Sequence, residues 1–150
     1  MPDNFDRVRE NFARQPFMNT LGASLRSVQS GAVEIEVPFR GDLTQQNGYV
    51  HAGVITSVLD SACGYAALSV APDRNDVLSV EFKINLLAPA VGDLFVARSQ
   101  VKRAGKRLTI AAGDAFAIQD GREKLIATML ATIVNIEPKP DREESQQLKR

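Results

Sequence analysis

Residues 45–69 read Gln45-Gln46-Asn47-Gly48-Tyr49-Val50-His51-Ala52-Gly53-Val54-Ile55-Thr56-Ser57-Val58-Leu59-Asp60-Ser61-Ala62-Cys63-Gly64-Tyr65-Ala66-Ala67-Leu68-Ser69. A polar loop with an Asn47-Gly48 turn signal leads through the single histidine of the chain into a long apolar segment. Val54, Ile55, Val58, Leu59, Ala62, Ala66 and Leu68 recur there at helical spacing, and most other positions are Gly, Ala, Ser or Thr. A helix over 52–69 with so little charge belongs in a core rather than on a surface. Its small residues let a sheet approach closely. Asp60 is its single carboxylate. An acid inside such a helix is costly unless it has a partner or a chemical task, and Asp is a poor helix former.

The flanking sequence supplies the sheet. Residues 3–14 form an amphipathic helix, capped by Asp3 or Asn4, with Phe5, Val8 and Phe12 on one face and Pro16 ending it. Residues 21–30 and 32–39 read as strands around Ser30-Gly31, and Val33, Ile35 and Val37 alternate with Glu34 and Glu36. Four further strands are expected at 76–88, 93–103, 107–119 and 123–136, with turn signals between them. Those connections suit hairpins but no crossover helices, so neighbours should be antiparallel. The expected fold is α+β: one antiparallel sheet curled around one long central helix. A sheet of this kind leaves an exposed edge and invites a partner subunit. Residues 1–136 form one expected domain, and the Pro-rich charged residues 137–150 a disordered tail.

Composition narrows the function. Eighteen basic residues balance eighteen acidic ones in 150 residues, which offers no basic face for nucleic acid. No apolar run approaches the ~18 residues of a membrane span, and the polar start is not a signal peptide. The lone Cys63 excludes an internal disulfide and suits a reducing, cytoplasmic setting. One histidine with scattered carboxylates gives no metal-ligand spacing, so no metal is expected.

Thr56, Ser57, Asp60, Ser61 and Gly64 are spaced by threes and fours, forming one small polar stripe that can line a cleft. At the helix mouth the first N–H groups carry the positive dipole end and have no intrahelical partner. Ala52 and Gly53 are small enough for a carbonyl oxygen to approach, the requirement for stabilising an oxyanion. Asp60 and the Ala52 N–H are eight residues apart, roughly 12 Å along the axis. If both act on one carbonyl, they come from two subunits. His51 reads as a general base for hydratase chemistry or as a support of the helix mouth. Gln45 reads as a donor to a substrate carbonyl or as a solvated loop residue.

These residues resemble the hotdog-fold thioesterases, specifically the phenylacetate-degradation (PaaI-like) acyl-CoA thioesterase group. The resemblance runs from about residue 18 to 136. It is carried by Gln45 to Gly53, by Leu59 to Ala67, by Ser79-Val80-Glu81-Phe82-Lys83-Ile84-Asn85-Leu86-Leu87-Ala88-Pro89-Ala90 with Gly92, and by Gly105-Lys106-Arg107. It implies that Asp60 is the catalytic carboxylate, as nucleophile or general base. It implies that the Ala52 N–H polarises the thioester carbonyl, that Gln45 orients it, that His51 precedes the helix and that Ser79 lies near the attacking water. Gly53, Thr56, Ser57 and Gly64 then face the substrate. Lys83, Ala88, Pro89, Arg103, Gly105, Lys106 and Arg107 fall where related proteins meet the nucleotide end of coenzyme A. The family forms dimers, usually paired into tetramers, and often reads His-Gly-Gly where this chain reads His51-Ala52-Gly53.

The resulting expectation is an acyl-CoA thioesterase, a homodimer or homotetramer, with coenzyme A as part of the substrate and no separate cofactor. Two alternatives stand beside it: a non-catalytic acyl-CoA-binding protein, and a hotdog-fold enoyl-CoA hydratase or dehydratase using His51 as base.

Overall fold

The computed structural model of the chain describes residues 4–138. In order these form α1 (Asn4–Ala13), α2 (Pro16–Leu21), β1 (Ser24–Gln29), β2 (Ala32–Pro38), a 3-10 turn (Gly41–Leu43), α3 (Ala52–Val70), β3 (Asp76–Leu86), β4 (Leu94–Ala104), β5 (Leu108–Gln119) and β6 (Arg122–Ile136). The tail expected from residue 137 lies, from 139 onward, outside the described residues. So does Asp3; Asn4 instead donates its side-chain amide to the Ser69 carbonyl at 3.2 Å.

The six strands form one antiparallel sheet in the order β1-β2-β4-β5-β6-β3, wrapped around α3. This is the hotdog arrangement that the resemblance implies. Two expectations need correction. First, β3 and β4 are not a hairpin: β3 pairs with β6 at one edge, while β4 lies between β2 and β5. The link between them does not turn back. Leu87 and Ala88 still donate to the Ile126 carbonyl, the Ala90 carbonyl then accepts from Val50, and the Asp93 carbonyl accepts from Phe39 beyond β2. The link thus runs across the end of the sheet. Second, Pro16 ends α1 but also starts α2. Its fixed φ suits a first helical position, and Gln15 before it is extended, with ψ 105°. Gly22 closes α2 at φ 70°, so β1 begins at Ser24 and not at 21.

α3 packs on the concave face. The inner row of β5 is small there: Ala111, Gly113, Ala115 and Ala117, with the three alanines buried. A Cβ on Gly113 would come within 3.1 Å of both Cys63 Sγ and Leu59 Cδ2, which is why the helix can lie so close. Val33, Ile35 and Val37 point into the same core, as their alternation with Glu34 and Glu36 requires. Inside, the Ser99 hydroxyl lies 2.7 Å from the Ala62 carbonyl and 3.0 Å from that of Val33, tying helix to sheet. α3 is long and apolar enough to cross a membrane, and most of it is buried inside this fold.

α1 clamps the far end of α3. Phe12 meets Tyr65 edge to face, with ring centroids 5.7 Å apart. The Arg7 guanidinium donates to the carbonyls of Leu68 (2.7 Å), Ala71 (3.2 Å) and Pro72 (3.1 Å). These carbonyls lie at and just beyond the C-terminus of α3, where a cation also meets the negative end of the dipole.

Candidate active site

α3 starts at Ala52 because His51 caps it. The ring Nδ1 of His51 accepts the Gly53 N–H at 2.8 Å, and its carbonyl accepts the Val54 N–H at 2.9 Å. Nδ1 therefore carries no proton in this arrangement. The Ala52 N–H, first in the helix, has no intrahelical acceptor, and Ala52 lines a cavity. Gly53 is dictated by the same cap: a Cβ there would lie 2.9 Å from His51 Nδ1. The preceding loop is folded by Gln45. Its N–H donates to the Tyr49 carbonyl at 2.8 Å, its carbonyl accepts from Gly48 at 3.0 Å, and its side-chain Oε1 accepts from the Asn47 N–H. With Oε1 engaged, the Nε2 group is the donor that Gln45 retains for a ligand.

Gln45, His51 and Ala52 line a cavity of about 530 Å³ whose other walls are mainly apolar: Val50, Ile55, Leu86, Leu87, Ala88, Pro89 and Ile126. Ala88 and Pro89 are thus at the helix mouth. Asp60 lies elsewhere. It is half-buried and shares a cavity of about 340 Å³ with Ser61, Gly64, Tyr65, Asp76 and Ser79. The Ser79 hydroxyl donates to Asp60 Oδ1 at 2.6 Å, a charge-assisted bond that leaves Oδ2 open to another partner. Ser79 stands at a β-bulge: register with β6 shifts between Ser79 and Glu81, and the extra residue, Val80, is exposed. Bulges of this kind re-aim side chains.

The single polar stripe expected from Thr56 to Gly64 does not line one cleft. Thr56 and Ser57 turn their hydroxyls back to the carbonyls of Ala52 (2.8 Å) and Gly53 (2.6 Å). Ser57 borders a shallow surface depression with Phe17 and Gly53, whereas Asp60, Ser61 and Gly64 line the second cavity. The hydroxyls at 56 and 57 find acceptors four residues back, a local bond always open to Ser and Thr on a helix.

The residues implied for the nucleotide end also divide. Gly105, Lys106 and Arg107 form the β4–β5 turn, where the Asn135 side chain donates to the carbonyls of Gly105 and Lys106. Asn135 is the register partner of Val77, so this turn and Arg103 sit at the start of β3, whereas Ala88 and Pro89 follow its end. A Cβ on Gly105 would meet the Leu108 carbonyl at 2.5 Å, so this glycine is required by the turn itself. Lys83, midway along β3, is exposed and donates to Asn85 Oδ1 at 3.0 Å.

Sequence reasoning missed Asn11, Gln15, Tyr65 and Asp76 as walls of the Asp60 cavity. Asn11 lies on α1 and Gln15 is the extended residue before α2, and nothing in the sequence shows what either side chain meets. Cys63 is buried, and burial, aided by the charges of Asp60 and Asp114, pushes its thiol up to about 12. It is a packing residue and no nucleophile at neutral pH.

A thioesterase superfamily model matches residues 47–124, just over half of the chain, and the chain belongs to that superfamily. A protein of Saccharolobus solfataricus assigned by name to the esterases is 30% identical over 127 residues, covering 85% of this chain and 82% of that one. A thioesterase family protein of Silicibacter pomeroyi has a solved structure 47% identical in sequence, with TM-score 0.89, covering 90% of this chain and 99% of that one. The PaaI protein of the E. coli phenylacetic acid degradation operon shares the fold at TM-score 0.81 and 18% identity, covering 91% of this chain and 95% of that one.

Proposed function

We propose that the protein is a cytoplasmic acyl-CoA thioesterase whose active site is shared by two copies of the chain. The observation that carries this reading is the separation of the two cavities. The helix mouth offers donors without a catalytic carboxylate, and the Asp60 cavity offers a carboxylate without the helix-mouth donor. Eight residues of helix, roughly 12 Å, lie between them.

The exposed edge supports how the halves meet. β3 shows Leu78, Val80, Phe82 and Leu86 to solvent, and Leu87 follows just beyond it, each more than 40% exposed. Its start borders the Asp60 cavity through Asp76, Val77 and Ser79, and its end borders the mouth cavity through Leu86 and Leu87. If β3 pairs antiparallel with its own copy about a two-fold axis, each start meets the other's end. Every mouth cavity then faces a partner's Asp60 cavity, and the basic β4–β5 turn of one copy approaches the Ala88-Pro89 link of the other. Two such dimers associate into a tetramer.

In the shared site the Ala52 N–H and Gln45 Nε2 stabilise the oxyanion that forms on the thioester carbonyl. Ser79 holds Oδ1 of Asp60. Oδ2 takes a proton from the attacking water and passes it to the departing thiolate as the C–S bond breaks; or Oδ2 itself attacks the carbonyl carbon, the C–S bond breaks to give an acyl-Asp60 anhydride and a thiolate, and water then hydrolyses the anhydride, its proton going to the thiolate. Lys106, Arg107 and Arg103 are cations for the phosphates of coenzyme A. No further cofactor takes part. The hold of Gly53 on His51 Nδ1 favours a capping role over a hydratase base. The test is thiol release from a panel of acyl-CoAs by wild type and Asp60→Asn. The variant should still bind acyl-CoA while kcat falls by on the order of 10² or more. Unchanged turnover would remove Asp60 from the chemistry.

A further inference from the structure

We propose that Asn135 is a positioning residue for coenzyme A: it holds the β4–β5 turn in the shape that presents Lys106 and Arg107 to the phosphates. The inference rests on the thioesterase reading above and adds to it a residue that itself touches no substrate.

Lys102, Arg103, Lys106 and Arg107 are all exposed, and among the described residues none has a side-chain hydrogen bond or ion pair. Arg7, Arg26, Arg40 and Arg98, by contrast, are tied to carbonyls or carboxylates. Free cations so close in sequence repel one another, and a bound polyphosphate relieves that repulsion. One residue holds the turn that carries them. Asn135 Nδ2 donates to the Gly105 carbonyl at 3.3 Å and to the Lys106 carbonyl at 3.0 Å, and the Asn135 N–H donates to the Arg107 carbonyl at 2.8 Å. Three consecutive carbonyl oxygens of the turn are thereby directed to β6. A carbonyl oxygen left free there would meet a phosphate with like charge.

Asn135 is costly where it stands. Its neighbours Val134 and Ile136 are good strand formers, and Asn is a poor one. Its Oδ1 is buried with no hydrogen-bond partner among the described residues, which lowers stability. The amide cannot turn over to relieve this, because Oδ1 would then meet two carbonyl oxygens. Local rules are broken in this way at functional sites, and what Asn135 supplies is a pair of donors aimed at the basic turn. Because it acts through Lys106 and Arg107, its effect belongs to the binding of the nucleotide end. That effect vanishes for a substrate without one.

The experiment measures kcat and KM for the acyl-CoA that the panel above shows to be cleaved fastest, and for the same acyl group on pantetheine, the thiol arm that ends before the phosphates. Wild type, Asn135→Ala, the Lys106→Ala/Arg107→Ala pair and the triple variant are compared. The ratio of the two kcat/KM values is taken within one preparation, so any loss of folded protein cancels. Asn135→Ala should lower that ratio by about five- to tenfold through KM for the acyl-CoA, with kcat held within roughly twofold. Added to the Lys106→Ala/Arg107→Ala pair, it should lower the ratio by less than roughly twofold more, as expected for a residue that acts through those two. A wild-type ratio near one, equal losses on both substrates in Asn135→Ala, or a full further loss in the triple variant overturns the proposal while leaving the thioesterase reading intact. No thiol release from any acyl-CoA by the wild type overturns that reading, and this proposal with it.

Discussion

The cavity at the mouth of α3 is walled mainly by apolar groups and presents hydrogen-bond donors, whereas the cavity around Asp60, two turns along the same helix, is polar and acidic. The first contains Leu86 at the end of β3 and Leu87, Ala88 and Pro89 just beyond it; the second contains Asp76, Val77, Leu78 and Ser79 from its start. One helix and one strand therefore run past both cavities, with the Asp60 cavity at the start of β3 and the mouth cavity at its end. On the proposed function, this difference makes the catalytic unit larger than the folded chain. The exposed apolar edge of β3 lies beside both halves, and the opposite edge, β1, is short, bulged near Leu25 and carries Arg26, features that discourage pairing.

The comparison breaks first at the donor. Ala52 is the first residue of α3, where proline is well tolerated, and His51 before it is extended at ψ 137°. Ala52→Pro should fold normally and delete only the N–H. Steady-state thiol release should fall by about 10²–10³; a variant that retains full turnover would move the oxyanion site elsewhere. A smaller effect is expected at the cap. His51→Ala frees the Gly53 N–H and should cost about 1 kcal/mol of stability, with a rate loss well below that of Asp60→Asn. A larger rate loss would revive His51 as a base.

The smallest effects separate the two faces of α3. Gly113 faces Cys63 and Leu59 at the sheet, whereas a Cβ on Gly64 meets nothing within 4 Å because the Asp60 cavity lies beside it. Gly113→Ala should lower stability by roughly 1–3 kcal/mol through overpacking. Gly64→Ala should raise it by about 0.5–1 kcal/mol through helix propensity. Thermal melting of both variants checks the pair, and a Gly64→Ala protein that melts lower would argue against open space on that side.

Much of this was legible before any coordinates. The periodicity of Val54, Ile55, Val58 and Leu59 marked the central helix, and the alternation of Val33, Ile35 and Val37 marked a strand with one buried face. Eight residues between Ala52 and Asp60 already required two subunits if both act on one carbonyl. Other features depended on distant partners. The place of β3 at the edge is set by Leu87 and Ala88 following β6, a pairing between segments far apart in sequence. The second helix hid behind Pro16, which ends one helix and starts another with equal ease. Thr56 and Ser57 share a spacing with Asp60, yet local bonds to Ala52 and Gly53 turn them away from its cavity. Asn11 and Gln15 had no signal of their own, because they join the cavity wall only where α1 and the extended residue before α2 pack on α3.

Subunit mixing tests the shared site most directly. Asp60→Asn chains and Ala52→Pro chains, each inactive alone, are unfolded, mixed in equal amounts and refolded, with exchange verified by mass. In a two-fold dimer each mixed pair contains one site with both an intact carboxylate and an intact donor, so about a quarter of the wild-type thiol release should return. Mixed dimers that form and release no thiol would place both groups in a single chain's site, or out of the reaction, and contradict the account.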